Sequence, residues 1–140
     1  ISQLTPNPLI GKNYKELGPR FPDMSEPYKR QLIKKAKNIA AEKNIKLQEG
    51  VYVAVTGPTF ETPAEYRMIL AIGGDVVGMS TVQEVITAVH MGLPVFAMSV
   101  ITDVAIREDE HAVTHEEVLE AAKNAEPVFA TIFCELIAQL

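Results

Sequence analysis

Apolar and polar positions follow two rhythms along the chain. Leu32, Ile33, Ala36, Ile39 and Ala40 recur three and four apart with lysines between them, which predicts an amphipathic helix capped at Ser25, with Glu26 and Pro27 in its first turn, running to about Asn44. Gly50 to Thr56, GVYVAVT, is a β-branched apolar run halted by Gly57 and Pro58, hence a strand. Thr62, Pro63 and Glu65 form a capping box with proline at the first helical position, so a helix is predicted from Pro63 to just before Gly73 and Gly74. Asp75 to Met79 reads as a short strand, and Ser80 or Thr81 with Glu84 opens a helix that ends near Met91 and Gly92. Pro94 to Thr102, PVFAMSVIT, is apolar enough for a parallel strand covered on both faces, and Thr114 with Glu117 opens a last helix to about Gln139.

Residues 1–24 hold Pro6, Pro8, Pro22, Gly11 and Gly18 among apolar side chains, which predicts an irregular segment lying on the rest. The order helix, strand, helix, strand, helix, strand, helix implies parallel strands joined by helical crossovers. The expected fold class is α/β, a three-layer α/β/α arrangement with a mixed or mostly parallel sheet and flanking helices, formed by residues 1–140 as a single unit. Ligands of such sheets sit beyond the carboxyl ends of the strands, so chemistry is sought at Gly57 to Thr62, Gly78 to Thr81, and Thr102 with Asp103.

Composition narrows the classes. The 140 residues suit one core, and 13 basic against 18 acidic side chains leave a net charge of −5, which argues against nucleic acid as a partner. The lysines of the first helix read as its solvated face. Cys134 is the single cysteine, so a disulfide scaffold is excluded and a reducing, cytoplasmic setting is expected. Val85 to Thr102 carries no Asp, Glu, Lys or Arg, yet His90, Gly92 and Pro94 divide it into a helix, a turn and a strand, so no membrane span is predicted. Ile1 to Gly11 lacks the basic start and apolar run of a signal peptide and does not begin with Met, which suggests a start inside a longer chain.

At the first strand end, Phe60 offers an aromatic face and Glu61 an acceptor, the pair needed by a planar heterocycle with N–H donors. An acid there equally suits the dipole of the following helix. Ser80 and Thr81 put hydroxyls and N–H groups at a helix start, which can hold phosphate or simply cap the helix. Asp103 ends an apolar run, where burial would raise its pKa and fit it to act as an acid; in water it is a plain loop carboxylate. His115 falls in a first helical turn, where a cation is disfavoured, so it is expected as a neutral donor or acceptor. His90 and His111 read as packed and solvated histidines. His111 and His115 stand four apart, but His111 precedes the cap at Thr114, so the two share no helix face, and no metal site is expected. Ser80, His90 and Asp103 have the residue types of a hydrolase triad without a GxSxG elbow.

These motifs, with GPRFPDMSEPY at 18–28, EGVYVAVTGPTFETPAE, VVGMSTVQEVITA, VFAMSVITD and THEEVLEA at 114–121, resemble the trimeric purine nucleoside phosphorylases in order and spacing over nearly the whole chain. The resemblance implies a nucleoside phosphorylase-like fold and reversible phosphorolysis of purine (deoxy)ribonucleosides, with inorganic phosphate as co-substrate, no cofactor and a homotrimer at full length. It implies that Glu61 accepts from the base N1–H and any 2-amino group, that Phe60 packs on the ring, and that Val77 touches the base. Tyr52 and Met79 would line the ribose, Ser80 would bind phosphate, and His115 would meet the 5′-hydroxyl. Asp103 stands where the 6-oxopurine enzymes carry Asn to read N7 and the 6-substituent; with Glu61 and His115 it completes the implied catalytic set.

An ionised Asp103 would repel a 6-oxo group and accept from a 6-amino group, whereas a protonated one donates to N7 or O6. Aspartate here resembles the methylthioadenosine phosphorylases, whereas Glu61 and His115 match the enzymes for guanosine and inosine, which are the expected substrates. Alternatives are a methylthioadenosine or adenosine phosphorylase, a non-catalytic purine-binding fragment, and a generic α/β domain whose strand-end polar groups are only caps. The family's glycine-rich phosphate loop and its arginine and histidine clamp belong to an amino-terminal half with no counterpart here. The 140 residues are therefore expected to form a carboxyl-terminal half, inactive alone.

Overall fold

A computed structural model describes residues 1–105 and 114–140; the acidic loop with His111 lies outside the described residues. The elements follow the order α1 (Arg30–Glu42), β1 (Tyr52–Ala54), α2 (Pro63–Ala71), β2 (Val76–Gly78), α3 (Val82–His90) and α4 (His115–Ala138). Three of the helices end in one way. Asn44, Gly73 and Gly92 take left-handed φ of 54°, 88° and 76°, and the next residue's N–H reaches back five positions: Ile45 to Ala40 O, Gly74 to Ile69 O and Leu93 to Ala88 O. This Schellman closure supplies donors to the last carbonyls and explains why glycine or asparagine stands at each stop.

The starts are less uniform. The boxes Thr62–Glu65 and Thr114–Glu117 form in full, with Pro63 opening α2. Ser25, expected as the cap of α1, instead donates from its N–H and hydroxyl to the Asp23 carboxylate at 2.9 and 2.7 Å. With the serine bonded there, α1 begins at Arg30, whose N–H donates to Glu26 Oε1 at 2.9 Å. Ser80 and Thr81 also fail as a side-chain cap of α3. Thr81 sits at φ 74°, ψ −53°, and Val82 N–H closes onto Ser80 O at 2.8 Å, a γ-turn in the strained hand that costs on the order of 1–3 kcal/mol.

β1 and β2 pair in parallel, Tyr52 opposite Val76 and Ala54 opposite Gly78, with α2 as the crossover. The irregular residues 1–24 do lie on this sheet: Ala54 N–H donates to Ile1 O at 3.0 Å, the Ile1 ammonium donates to Tyr52 O, and Leu4 bridges Val55. Pro94 to Thr102 does not form the third strand that its apolar run predicts. Among the described residues it pairs with neither β1 nor β2, so its N–H and C=O groups enter no ladder, although Val95 O accepts from Lys29 N–H at 2.8 Å. Its side chains still go inward. Phe96 and Met98 pack on the larger core, in which Ala36, Ile39 and Ala40 of α1 meet Ile132 and Leu136 of α4. Ala54, Val82 and Ile86 form a second core under Leu9 and Tyr52. The structure is thus α/β with a small parallel sheet. Among the described residues no helix is long and apolar enough to cross a membrane.

Candidate functional site

Both strands run toward the same end, and the loops that leave them meet there. After β1 the chain turns through Gly57 at φ 59°, a left-handed position suited to glycine, and a cis bond to Pro58. A Cβ on Gly57 would stand 2.4 Å from Met79 Sδ, so the β1–α2 loop and the β2–α3 loop touch at this point. A Cβ on Gly78 would stand 2.1 Å from Tyr52 Oη, so the Tyr52 ring crosses the end of β2 because that residue has no side chain. The Tyr52 hydroxyl accepts from Ser80 N–H at 3.4 Å, and the Ser80 hydroxyl lies 3.2 Å from that of Thr81. Tyr52, Met79 and Ser80 therefore form one group at the strand ends.

A second group surrounds a cavity of about 460 Å³. Phe60 and Glu61 line it from the β1–α2 loop, Val77 from β2, Thr102 and Asp103 from the end of the 94–102 segment, and Val118 from the first turns of α4. Four sequence-predicted residues, Phe60, Glu61, Val77 and Asp103, thus share one wall-to-wall space. A smaller cavity of about 220 Å³ shares Phe60 and Glu61 and is also lined by Leu4, Gly57 and Met68. His115 opens α4 as an exposed side chain and is not among the lining residues, although Val118, three positions on, is.

Tyr66 was missed by the motif reading. It lies on α2 and lines the larger cavity with Glu61 and Asp103. Its hydroxyl neighbours the Glu61 carboxylate, whose oxygens and charge act on it. Burial pushes the Tyr66 hydroxyl up to about 12, and the Glu61 oxygens with the negative charges of Glu61, Asp103 and Glu65 push the same way. A faint signal existed in the sequence: helical side chains lean toward the N-terminus, so a residue one turn inside α2 faces the loop that carries Glu61. Glu65 is occupied elsewhere. Thr62 N–H and hydroxyl donate to it at 2.6 and 2.7 Å and hold its carboxyl below the usual range.

The cavity joins an aromatic face, aliphatic walls and two carboxylates, which suits a flat ligand that presents N–H donors on its edges. Among the described residues no group of three His, Cys, Asp or Glu side chains is placed to hold a metal ion. His90, the last residue of α3, is buried with Nε2 unpartnered, against Gly18, and is not among the lining residues.

Comparison with known proteins shows the family. The sequence profile of the phosphorylase superfamily matches residues 2–138. Purine nucleoside phosphorylase 1 of Geobacillus stearothermophilus is 49% identical over 92% of this chain and 47% of its own length. Its namesake in Bacillus subtilis (strain 168) is 44% identical over 99% of this chain and 51% of its own. The chain therefore spans about half the length of these relatives. Crystal structures of Schistosoma mansoni purine nucleoside phosphorylase in complex with inosine and with adenosine match 94% of this chain at TM-scores of 0.88 and 0.89, with 42% and 41% identity, and cover 48% and 49% of those chains.

Proposed function

Because the chain belongs to the phosphorylase superfamily, we propose that it supplies the base and ribose side of a purine nucleoside phosphorylase site that cleaves guanosine and inosine. The convergence of Phe60, Glu61, Val77 and Asp103 on one cavity carries this reading. Phosphate oxygen attacks C1′ as the N9–C1′ bond breaks, and the electron pair of that bond leaves on the purine. Glu61 accepts the base N1–H and any 2-amino group, Phe60 and Val77 sandwich the ring, and Asp103 reads N7 and the 6-substituent, where the departing charge collects. Tyr52 and Met79 line the ribose, Ser80 offers its hydroxyl to phosphate, and His115 meets the 5′-hydroxyl. The full enzyme is a cytoplasmic homotrimer whose three-layer α/β/α domain has this chain as its carboxyl-terminal half and needs no cofactor beyond phosphate as co-substrate.

Asp103 favours a second reading, a preference for adenosine or methylthioadenosine, because an ionised carboxylate accepts from a 6-amino group. Phosphorolysis rates for inosine, guanosine, adenosine and methylthioadenosine, measured with this chain joined to a complementary half, separate the two. Guanosine and inosine are expected to lead; a clear lead for methylthioadenosine overturns the choice. Without that half, hypoxanthine binding by the chain is expected to fall about tenfold or more in Glu61→Ala, as loss of a charged hydrogen bond in a cavity requires. Unchanged binding would exclude the assigned role of Glu61.

A further inference from the structure

Glu61 belongs to the loop ahead of α2 and is only partly buried, and a glutamate so placed has three side-chain torsions to fix before its oxygens can meet a ligand. Two features of α2 act on it. The Thr62–Glu65 box fixes the backbone one residue beyond Glu61 and occupies the Glu65 carboxylate, which leaves Glu65 bonded to Thr62. Tyr66, whose N–H donates to Thr62 O at 3.1 Å, is thereby held one turn into the helix, with its ring in the cavity wall and its hydroxyl beside Glu61. A tyrosine has two side-chain torsions and is a stiff donor. We propose that Tyr66 is a positioning residue for Glu61: its hydroxyl holds the carboxylate in the orientation whose remaining lone pairs face the ligand in the cavity.

The inference rests on the reading of this cavity as a purine site and adds to it the residue that sets Glu61. Because the hydroxyl keeps its proton to about pH 12, it remains a donor throughout the working range. Asp103 lies on the same cavity and its charge is felt by the same hydroxyl, so Tyr66 responds to both carboxylates.

A double-mutant cycle tests this by equilibrium dialysis with hypoxanthine and with guanine, using the chain itself and checking helix content of each variant by circular dichroism. Tyr66→Phe is expected to weaken both bases about tenfold in the parent and less than about twofold in a Glu61→Ala background, because the hydroxyl acts through the carboxylate. A loss of equal size in both backgrounds, or none in a parent that binds the bases, overturns it. A ligand-free measurement keeps the two readings separate. With tyrosine labelled at Cζ with carbon-13, the Tyr66 resonance is expected to titrate near pH 12 in the parent and clearly lower in Glu61→Gln. An unchanged titration overturns the pairing; a lowered one in a chain that binds no purine upholds the pairing and sinks the purine reading.

Discussion

Ile132→Ala is the sharpest test of how the helices carry the cavity. Ile132 is 0% exposed and lies where α4 meets Ala36, Ile39 and Ala40 of α1, with Phe96 and Met98 of the 94–102 segment packed on the same cluster. Truncation removes three carbons at roughly 0.8 kcal/mol each, about 2.4 kcal/mol, before the cavity left behind is counted. The alanines on α1 have no longer rotamers to swing into the gap, so collapse is poor and the total should be about 3–4 kcal/mol. Urea unfolding followed by far-ultraviolet circular dichroism, chosen because the chain has no tryptophan, should show the midpoint falling by roughly 1.5–2 M with little change in slope. Ile132→Val should cost only about 1 kcal/mol. A loss below about 1 kcal/mol for alanine, or one no larger than that of valine, would refute the claim that this contact closes the core. Phe96 and Met98 lead directly to Thr102 and Asp103, so the same variant should also weaken hypoxanthine binding without touching the cavity.

Thr62→Ala removes the cap of α2 and should cost about 1 kcal/mol in the same urea assay, whereas Thr62→Ser should stay within a few tenths. Stability should also fall at high pH: burial and neighbouring carboxylates raise the Tyr66 hydroxyl from 10.0 to about 12 in the folded chain, so its contribution is complete below pH 10 and lost as pH climbs toward 12. Tyr66→Phe should flatten that part of the profile, and an identical decline in both proteins would show that Tyr66 does not contribute.

Local rules carried the sequence reading a long way because so many of this chain's signals are local. Capping boxes at Thr62 and Thr114, proline at 63, and glycine after α2 and α3 act within one turn, and each falls where the motif placed it. Phe60, Glu61 and Asp103 were legible for a related reason: each follows an apolar run whose end meets the others at one cavity, while Val77, inside β2 and named through the family resemblance, lines the same space.

Near neighbours decided the points that went otherwise. Ser25 donates its N–H and hydroxyl to the neighbouring Asp23 carboxylate, and the helix opens further on, at Arg30. Tertiary packing likewise overrode local preference at Pro127, which lies inside α4 where a proline removes an N–H, while Ile132 and Leu136 beyond it bury against α1. The apolar run 94–102 determined that this segment would be buried but not that it would be a strand, since a ladder depends on a neighbour that no run of side chains can specify. The sequence by itself determined the capped helices α2 and α4, the stops of α2 and α3, and several of the residues that gather at the cavity. Only the tertiary structure decided that Tyr66 meets Glu61, because that contact depends on the angle at which α2 leaves the loop, a quantity set by packing rather than by spacing.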